Sequence, residues 1–294
     1  MRLKNEKKHV ISDISIIVSN ALAEDIGNGD ITCEYGLNKT VNIKALIISK
    51  EPDVVVCGLD VLKEAFAQVD KRTKVIAHVK EGDRLKGKSE ICTIKGAAAS
   101  ILNTERTALN FLGRLSGIAT KTRIISDKIR KSKAIILDTR KTTPGLRVLE
   151  KYAVKVGGGS NHRTGLFDQV LIKDNHLKIL KKTFSGYSLC DIIKQTRKKV
   201  PKKIIIEIEV KNISEFKDAL MGVPDIIMLD NMNLVAMKKA VELRNKINKH
   251  IKLEASGNIT GENIRLVAAC GVDFISMGVL THSAECVDFS LNVL

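Results

Sequence analysis

Apolar residues recur at helical spacing through residues 10–25, and EDIGNGDIT (24–32), with two glycines and several turn-formers, then breaks the helix and opens a loop. Between 41 and 96 the period shortens. VNIKALII, DVVVCG, KVIAHV and EICTI read as short strands, with EGD (81–83) and KGK (86–88) as turns and GLDVLKEAFAQV (58–69) as one intervening helix. EGDRLKG is similar to turns of biotinyl-type sandwich domains, but no lysine has an MKM-like setting, so its role is structural. Asn103 or Thr104 is placed to cap a helix whose Ala108, Leu109, Phe111, Leu112 and Leu115 share one side. That helix is the natural bridge to a second domain.

Beyond it, short apolar runs alternate with longer helical stretches. The runs are AIILDTR (134–140), VKVGGGSNHR (154–163, irregular), QVLIKDNH (169–176), IIIEIEV (204–210), DIIMLDN (225–231), IKLEASG (251–257) and VDFISMG (272–278). Strands rich in Ile, Val and Leu on both faces, separated by helices, predict a parallel sheet covered on both sides. Seven such units in this length favour an α/β barrel over an open sheet, and a barrel carries its chemistry at the C-terminal strand ends.

Charge narrows the partners. The 294 residues include 49 Lys and Arg against 33 Asp and Glu, a net of +16. The excess lies in residues 119–203, which carry 22 basic and 6 acidic side chains, while KIRKSK and KQTRKKVPKK account for much of it as solvated runs. Aromatics are only 3%, leaving few platforms for stacking bases, so a nucleic-acid partner is not expected. The six cysteines form no CxxC or Cys/His pair at zinc spacing, and no apolar run approaches the roughly 18 residues of a membrane span. A cytoplasmic protein with reduced thiols and no membrane partner follows.

Each apolar run ends in polar groups. Asp138, Arg140 and Lys141 follow the first, His162 and Arg163 the second, and Lys173, Asp174 and His176 the third; Glu209, Asp230, Glu254 with Ser256, and Ser276 with Gly278 end the others. Glu207 and Glu209 are two apart, so they share a strand face about 6 to 7 Å from each other. Both are expected to point into the lumen, Glu209 being the better catalytic candidate, with Asp230 able to join it on Mg²⁺ or ribose hydroxyls. A Lys173–glutamate ion pair is the structural alternative. Arg106, Arg140 and Arg163 offer planar forks for carboxylate or phosphate, and Lys141 and Lys173 add compact charges. ASGNIT (255–260) and SMG (276–278) set Gly at strand-to-helix turns suited to phosphate. The triplet Gly157–Gly159 lacks dinucleotide-binding spacing and is read as a close approach to a ligand or to backbone.

EDIGNGDIT, NTERTALNFLGRLSGIAT, LDTRKTTPGLRVLEKYAVKVGGGSNHRTGLFDQVLIKDNH, IEIEV, IIMLDN, LEASGNIT and VDFISMGVLTHSAECVDFSL, in order along nearly the whole chain, resemble the quinolinate phosphoribosyltransferase family. The resemblance implies an α/β sandwich domain over 1–117, with 281–294 packing back on it, and an incomplete seven-stranded α/β barrel over 118–280. It implies decarboxylating transfer from 5-phosphoribosyl 1-pyrophosphate to quinolinate with Mg²⁺, in a homodimer or, alternatively, a hexamer. By motif position, Arg106 reaches the neighbouring subunit's site, while Thr139, Arg140, Lys141, His162 and Arg163 surround the quinolinate carboxylates. Lys173, Glu209 and Asp230 face the phosphoribosyl pyrophosphate and its metal. Ser256, Gly257, Asn258, Ser276, Met277 and Gly278 line the 5′-phosphate pocket, and Lys141, Lys173, Glu209 and Asp230 are the catalytic candidates.

Overall fold

The computed structural model describes residues 2–37, 40–183 and 186–294. Helix α1 (Arg2–Ile26) and the short α2 (Ile31–Gly36) flank the glycine break; Asp30 caps α2 by accepting the Cys33 N–H at 3.1 Å. Strands β1 (Asn42–Ser49) and β2 (Asp53–Val55) precede α3 (Leu59–Val69), after which come β3 (Lys74–Ala77), β4 (Arg84–Lys86) and β5 (Ser89–Ala97). These match the short apolar runs. The EGDRLKG segment is the turn and strand that pair β4 antiparallel with β2. Its Glu81 has a further use: the carboxylate accepts the N–H groups of Gly58 (2.7 Å) and Leu59 (3.1 Å) and so caps α3 from a distance.

Helix α4 (Ala98–Ile129) starts earlier than the sequence reading placed it. Asn103 and Thr104 are inside the helix, not at its cap, because the AAAS stretch already propagates helix and Thr104 Oγ1 donates to the Ser100 carbonyl at 2.7 Å.

From there strand and helix alternate: β6 (Ile135–Leu137), α5 (Arg147–Val156), β7 (Val170–Ile172), α6 (Asp174–Thr183), α7 (Leu189–Lys199), β8 (Ile206–Val210), α8 (Ile213–Met221), β9 (Ile226–Asp230), α9 (Leu234–Ile247), β10 (Lys252–Ser256), α10 (Ile264–Ala269), β11 (Phe274–Ser276), α11 (Val279–His282) and β12 (Phe289–Val293). Local caps start three helices: Ser188 with Asp191 forms a capping box on α7, and Asn212 and Asn233 accept N–H groups of α8 and α9.

Two compact units result. The first comprises residues 1–123, 142–158 and 279–294; the second, 124–141 and 159–278. In the first, an antiparallel sheet runs β12-β1-β5-β3, and α4 approaches the backbone before β12 so closely that a Cβ on Gly113 would lie 2.6 Å from the Val287 carbonyl oxygen. Gly157, from the glycine triplet, is likewise pinned against backbone, its missing Cβ being 2.4 Å from the Ala119 oxygen. Buried Glu150 joins Arg114 at 2.8 Å and accepts the Thr143 hydroxyl at 2.8 Å, fixing the loop that leads into α5.

The second unit is a parallel sheet, β6-β11-β10-β9-β8-β7, its core made of fully buried Ile206, Ile208, Val210, Ile227, Leu229, Leu253, Ala255 and Ile275. One of the seven predicted runs departs from expectation. Residues 154–156 of VKVGGGSNHR end helix α5, and only Ser160 touches the sheet, as a single parallel bridge to Leu137. Its valines suggested a strand, but Leu149, Ala153 and Val154 are spaced for one buried helical face. Among the described residues no helix is long and apolar enough to cross a membrane.

Candidate active site

Register assembles the mouth of the parallel sheet. Asp230 of β9 pairs with Ser256 of β10, and Ser256 with Ser276 of β11, so the three form one row across adjacent strand ends. On β8, Glu207 is fully buried while Glu209, one step closer to the end on the same face, keeps some exposure. Lys173, just past β7, brings Nζ to 3.6 Å from Glu209 Oε2 yet remains half in solvent. Burial raises the Glu209 carboxyl above its ordinary value, Asp230's charge raises it further, and Lys173 only partly opposes them. The Lys173–glutamate pair named as the structural alternative is therefore present, alongside a second carboxylate whose charge it does not cancel.

Opposite in sign is the segment after β6. Buried Asp138 accepts the His162 N–H at 3.0 Å and the Asn161 amide, which holds residues 160–163 beside the strand. Arg163 is buried, and its Nη1 donates to the Gln169 carbonyl at 3.2 Å. Its pKa is held below the usual arginine value by burial first and by the nearby positive Arg140 second. Arg163 Nε has no hydrogen-bond partner among the described residues. Two guanidinium groups close enough to repel, one of them buried with a spare N–H, form a site that an anion stabilises.

Beneath this rim the structure joins His162, Glu207 and Glu254, which the sequence shows only on separate runs. His162 Nε2 is 3.0 Å from Glu207 Oε2 and 3.5 Å from Glu254 Oε2, with both carboxylates inaccessible to solvent. Gln169 Nε2 donates to Glu207 at 2.5 Å. A residue beside β6 can meet strands β8 and β10 together only if the sheet curls, so this contact supplies evidence for barrel-like curvature. The three ligand atoms have metal-like spacing, within 4.8 Å of one another. However, His162 Nδ1 accepts the Arg163 N–H at 2.7 Å, so the ring proton sits on Nε2 and faces the carboxylates as a donor, not a ligand. Burial, then the adjacent Glu207 charge, pushes the Glu254 carboxyl well above the usual range. A charged residue between Leu253 and Ala255 in an apolar strand was the available signal for Glu254.

Of the residues singled out from sequence, all but Arg106 belong to the second unit; Arg106 is exposed on α4 of the first. Lys141 is exposed, and its N–H is accepted by Thr139 Oγ1 at 3.0 Å. Gly257 and Asn258 follow β10 in a loop, while Met277 and Gly278 follow β11. After β11 the expected strand-to-helix turn is immediate, the four-residue α11 starting at Val279 just past Gly278, whereas after β10 a loop precedes α10, which begins only at Ile264. His176 Nδ1 accepts the Lys173 N–H at 3.0 Å, a local structural use.

Residues 30–116 match the N-terminal domain, and residues 118–292 the C-terminal domain, of quinolinate phosphoribosyl transferase. A probable nicotinate-nucleotide pyrophosphorylase (carboxylating) of Bacillus subtilis (strain 168) is 38% identical over 94% of this chain and 92% of its own. The structure of the nicotinate-nucleotide pyrophosphorylase from Francisella tularensis is similar with a TM-score of 0.88 at 36% identity, covering 96% of both chains. That from Ehrlichia chaffeensis gives 0.87 at 40% identity, over 95% of this chain and 98% of the other. Two domain matches that together span most of the sequence, and relatives alike in both sequence and fold, agree with the site: the chain belongs to the quinolinate phosphoribosyltransferase family.

Proposed function

We propose that this chain transfers the phosphoribosyl group of 5-phosphoribosyl 1-pyrophosphate to quinolinate, yielding nicotinate mononucleotide, pyrophosphate and CO₂ in de novo NAD synthesis. The observation that carries the reading is Arg163, a buried guanidinium with a spare N–H beside a second guanidinium, which suits a ligand bearing two carboxylates. Arg140, Lys141 and Arg163, with Thr139, surround those carboxylates, and His162 supports them from below. Lys173 and Lys141 face the departing pyrophosphate. Ser256, Gly257 and Asn258, with Ser276, Met277 and Gly278, take the 5′-phosphate.

Breaking the anomeric C–O bond develops positive charge on the ribose, and Glu209 and Asp230 stand where carboxylates stabilise it. The pyridine nitrogen, oriented through the carboxylates on ring carbons 2 and 3, is presented to that carbon, which supplies the proximity contribution. Once ribosylated, the nitrogen is cationic and its charge stabilises the carbanion left on the adjacent ring carbon when CO₂ departs, a carbanion that a proton from water then quenches. The protein's task in that step is to orient the carboxylate.

The family implies Mg²⁺. Glu209 and Asp230 fit it, because they are hard oxygen donors whose mutual repulsion raises Glu209. When bound, the ion would neutralise pyrophosphate charge. Arg106 is assigned to the neighbouring subunit's site of a homodimer, with the hexamer as the alternative. The domain division at 117/118 is supported by the matched family domains, which meet at 116 and 118. The six unpaired thiols suit a reducing compartment, of which the cytoplasm is the one we propose.

The test incubates the purified protein with phosphoribosyl pyrophosphate, Mg²⁺ and either quinolinate or nicotinate. Nicotinate mononucleotide and CO₂ from quinolinate are expected; product from nicotinate alone, or from neither, overturns the reading. Arg106→Ala and Arg140→Ala proteins, each inactive, should regain partial activity on mixing. No recovery after confirmed subunit exchange removes the shared site.

A further inference from the structure

Among the described non-glycine residues only Val223, Asn231 and Asn258 have positive φ, and two of these three lie at one joint of the site. Asn231 (φ 53°) follows Asp230 at the end of β9, and Asn258 (φ 50°) follows Gly257 (φ 87°) after β10. Left-handed backbone is unfavourable for residues with a Cβ, asparagine being among the most tolerant, and such strain persists where the surrounding contacts enforce it. Here those contacts are explicit. The Asn231 amide donates from Nδ2 to Asp230 Oδ1 at 3.0 Å, while its Oδ1 accepts Nδ2 of Asn258 at 3.0 Å. Its backbone N–H donates to the Ser256 carbonyl at 2.9 Å. Gly257 is pressed against the same amide, for a Cβ there would be 2.3 Å from Asn231 Oδ1. On the far side, Asn263 Nδ2 donates to the Asn258 carbonyl at 3.0 Å, anchoring the loop to the residue before α10.

We propose that Asn231 is a positioning residue for the phosphoribosyl substrate: its amide locks the Asp230 carboxylate and the Ser256–Asn258 loop into one block, so that ribose and 5′-phosphate contacts are made in fixed register. This rests on the function proposed above. By engaging Oδ1 of Asp230, Asn231 fixes the carboxylate plane and directs Oδ2 to the ligand. By accepting from Asn258 it holds the loop whose backbone lies against the phosphate. A glycine at 231 keeps the left-handed backbone and relieves its strain, but removes both side-chain bonds. An aspartate keeps an acceptor for Asn258 and sets a second carboxylate against Asp230.

The experiment compares Asn231→Gly and Asn231→Asp with the unaltered protein in steady-state kinetics, varying each substrate in turn, together with thermal melts and equilibrium binding of phosphoribosyl pyrophosphate with Mg²⁺. Asn231→Gly should raise the KM and Kd for phosphoribosyl pyrophosphate about tenfold, leave the quinolinate KM within twofold, and leave Tm unchanged or higher. Asn231→Asp should raise the phosphoribosyl pyrophosphate KM further. An unchanged KM and Kd in Asn231→Gly, or equal rises for both substrates with a lowered Tm, overturns the proposal. If the unaltered protein binds phosphoribosyl pyrophosphate without turning over quinolinate, the proposed reaction fails while the Kd comparison still decides the role of Asn231; if it does not bind, both fail.

Discussion

Glu207 and Glu209 stand two residues apart on one face of β8, yet their surroundings separate them. Glu207 is closed off from water and shares its space with His162, Gln169 and Glu254. Glu209 and its neighbour Asp230 remain at the mouth, where Lys173, half in solvent, pairs with Glu209 and the exposed Lys211 feels both charges. The deeper layer is sealed from solvent, and although Glu207 meets Gln169 and His162, its Oε1 and both Glu254 oxygens make no hydrogen bond among the described residues. Burial keeps its contribution to the shape of the sheet and the seating of His162. The upper layer leaves charge uncompensated, and that is where a cationic transition state or ion is accommodated. Identical residues thus separate into structural and chemical roles by depth alone.

Asp230→Asn should break the upper layer most visibly: kcat is expected to fall by about 10²–10³-fold, the range for losing one preorganised electrostatic group. Initial rates at saturating substrates check this, and thermal melts should show no loss of Tm. A matching loss of stability would erase the distinction between layers. Glu207→Ala is the converse. It strips the buried partner of Gln169 and His162, and should lower stability by about 3 kcal/mol, the upper range for leaving buried donors without their acceptor. At roughly 2–4 °C per kcal/mol for a chain of this size, the melt should shift down by about 6–12 °C.

Glu254→Gln gives the smallest effect, at low pH, and the sharpest test of the deep layer. Burial and Glu207 raise the Glu254 carboxyl in the folded protein. Its contribution to stability is therefore complete below the ordinary glutamate value and is lost as the pH climbs through the raised folded value. Glutamine mimics the protonated acid, so the variant should stay within about 1 kcal/mol of the parent at low pH and decline less with rising pH. Urea midpoints at pH 5 and pH 8 measure the slope; parallel slopes would show that Glu254 does not titrate in this way.

Much of this was legible beforehand. The first-unit strands, helix α3, the EGDRLKG hairpin and the sequence of parallel strands each had a clean period or turn signal, and Glu209, Asp230, Arg140 and Arg163 stood out as charges at strand ends. The missed features depend on distant contacts. Whether Glu254 faces a lumen or solvent is set by the curl of six strands, which no local pattern encodes. VKVGGG mixes β-branched residues with helical spacing, and packing against α4 settles it as helix. Glu81 was read as part of a turn, and its capping of α3 appears only when residues 58 and 81 meet. Asn231 looked like an ordinary residue after a strand, because its left-handed backbone is a property of the loop it faces.

The pairing of β12 with β1 carries a consequence for how the chain is made. Ala45 acquires one strand neighbour, Ile94, soon after its own synthesis, but its other neighbour is Val293. At about 5–20 residues per second, the outer edge of β1 stays open for roughly 10–50 s on the ribosome. An open edge is a template for unwanted pairing with other chains. A sheet begun at β1 is thus completed only by β12, so a nascent chain stalled before residue 289 would display a sticky rim along β1.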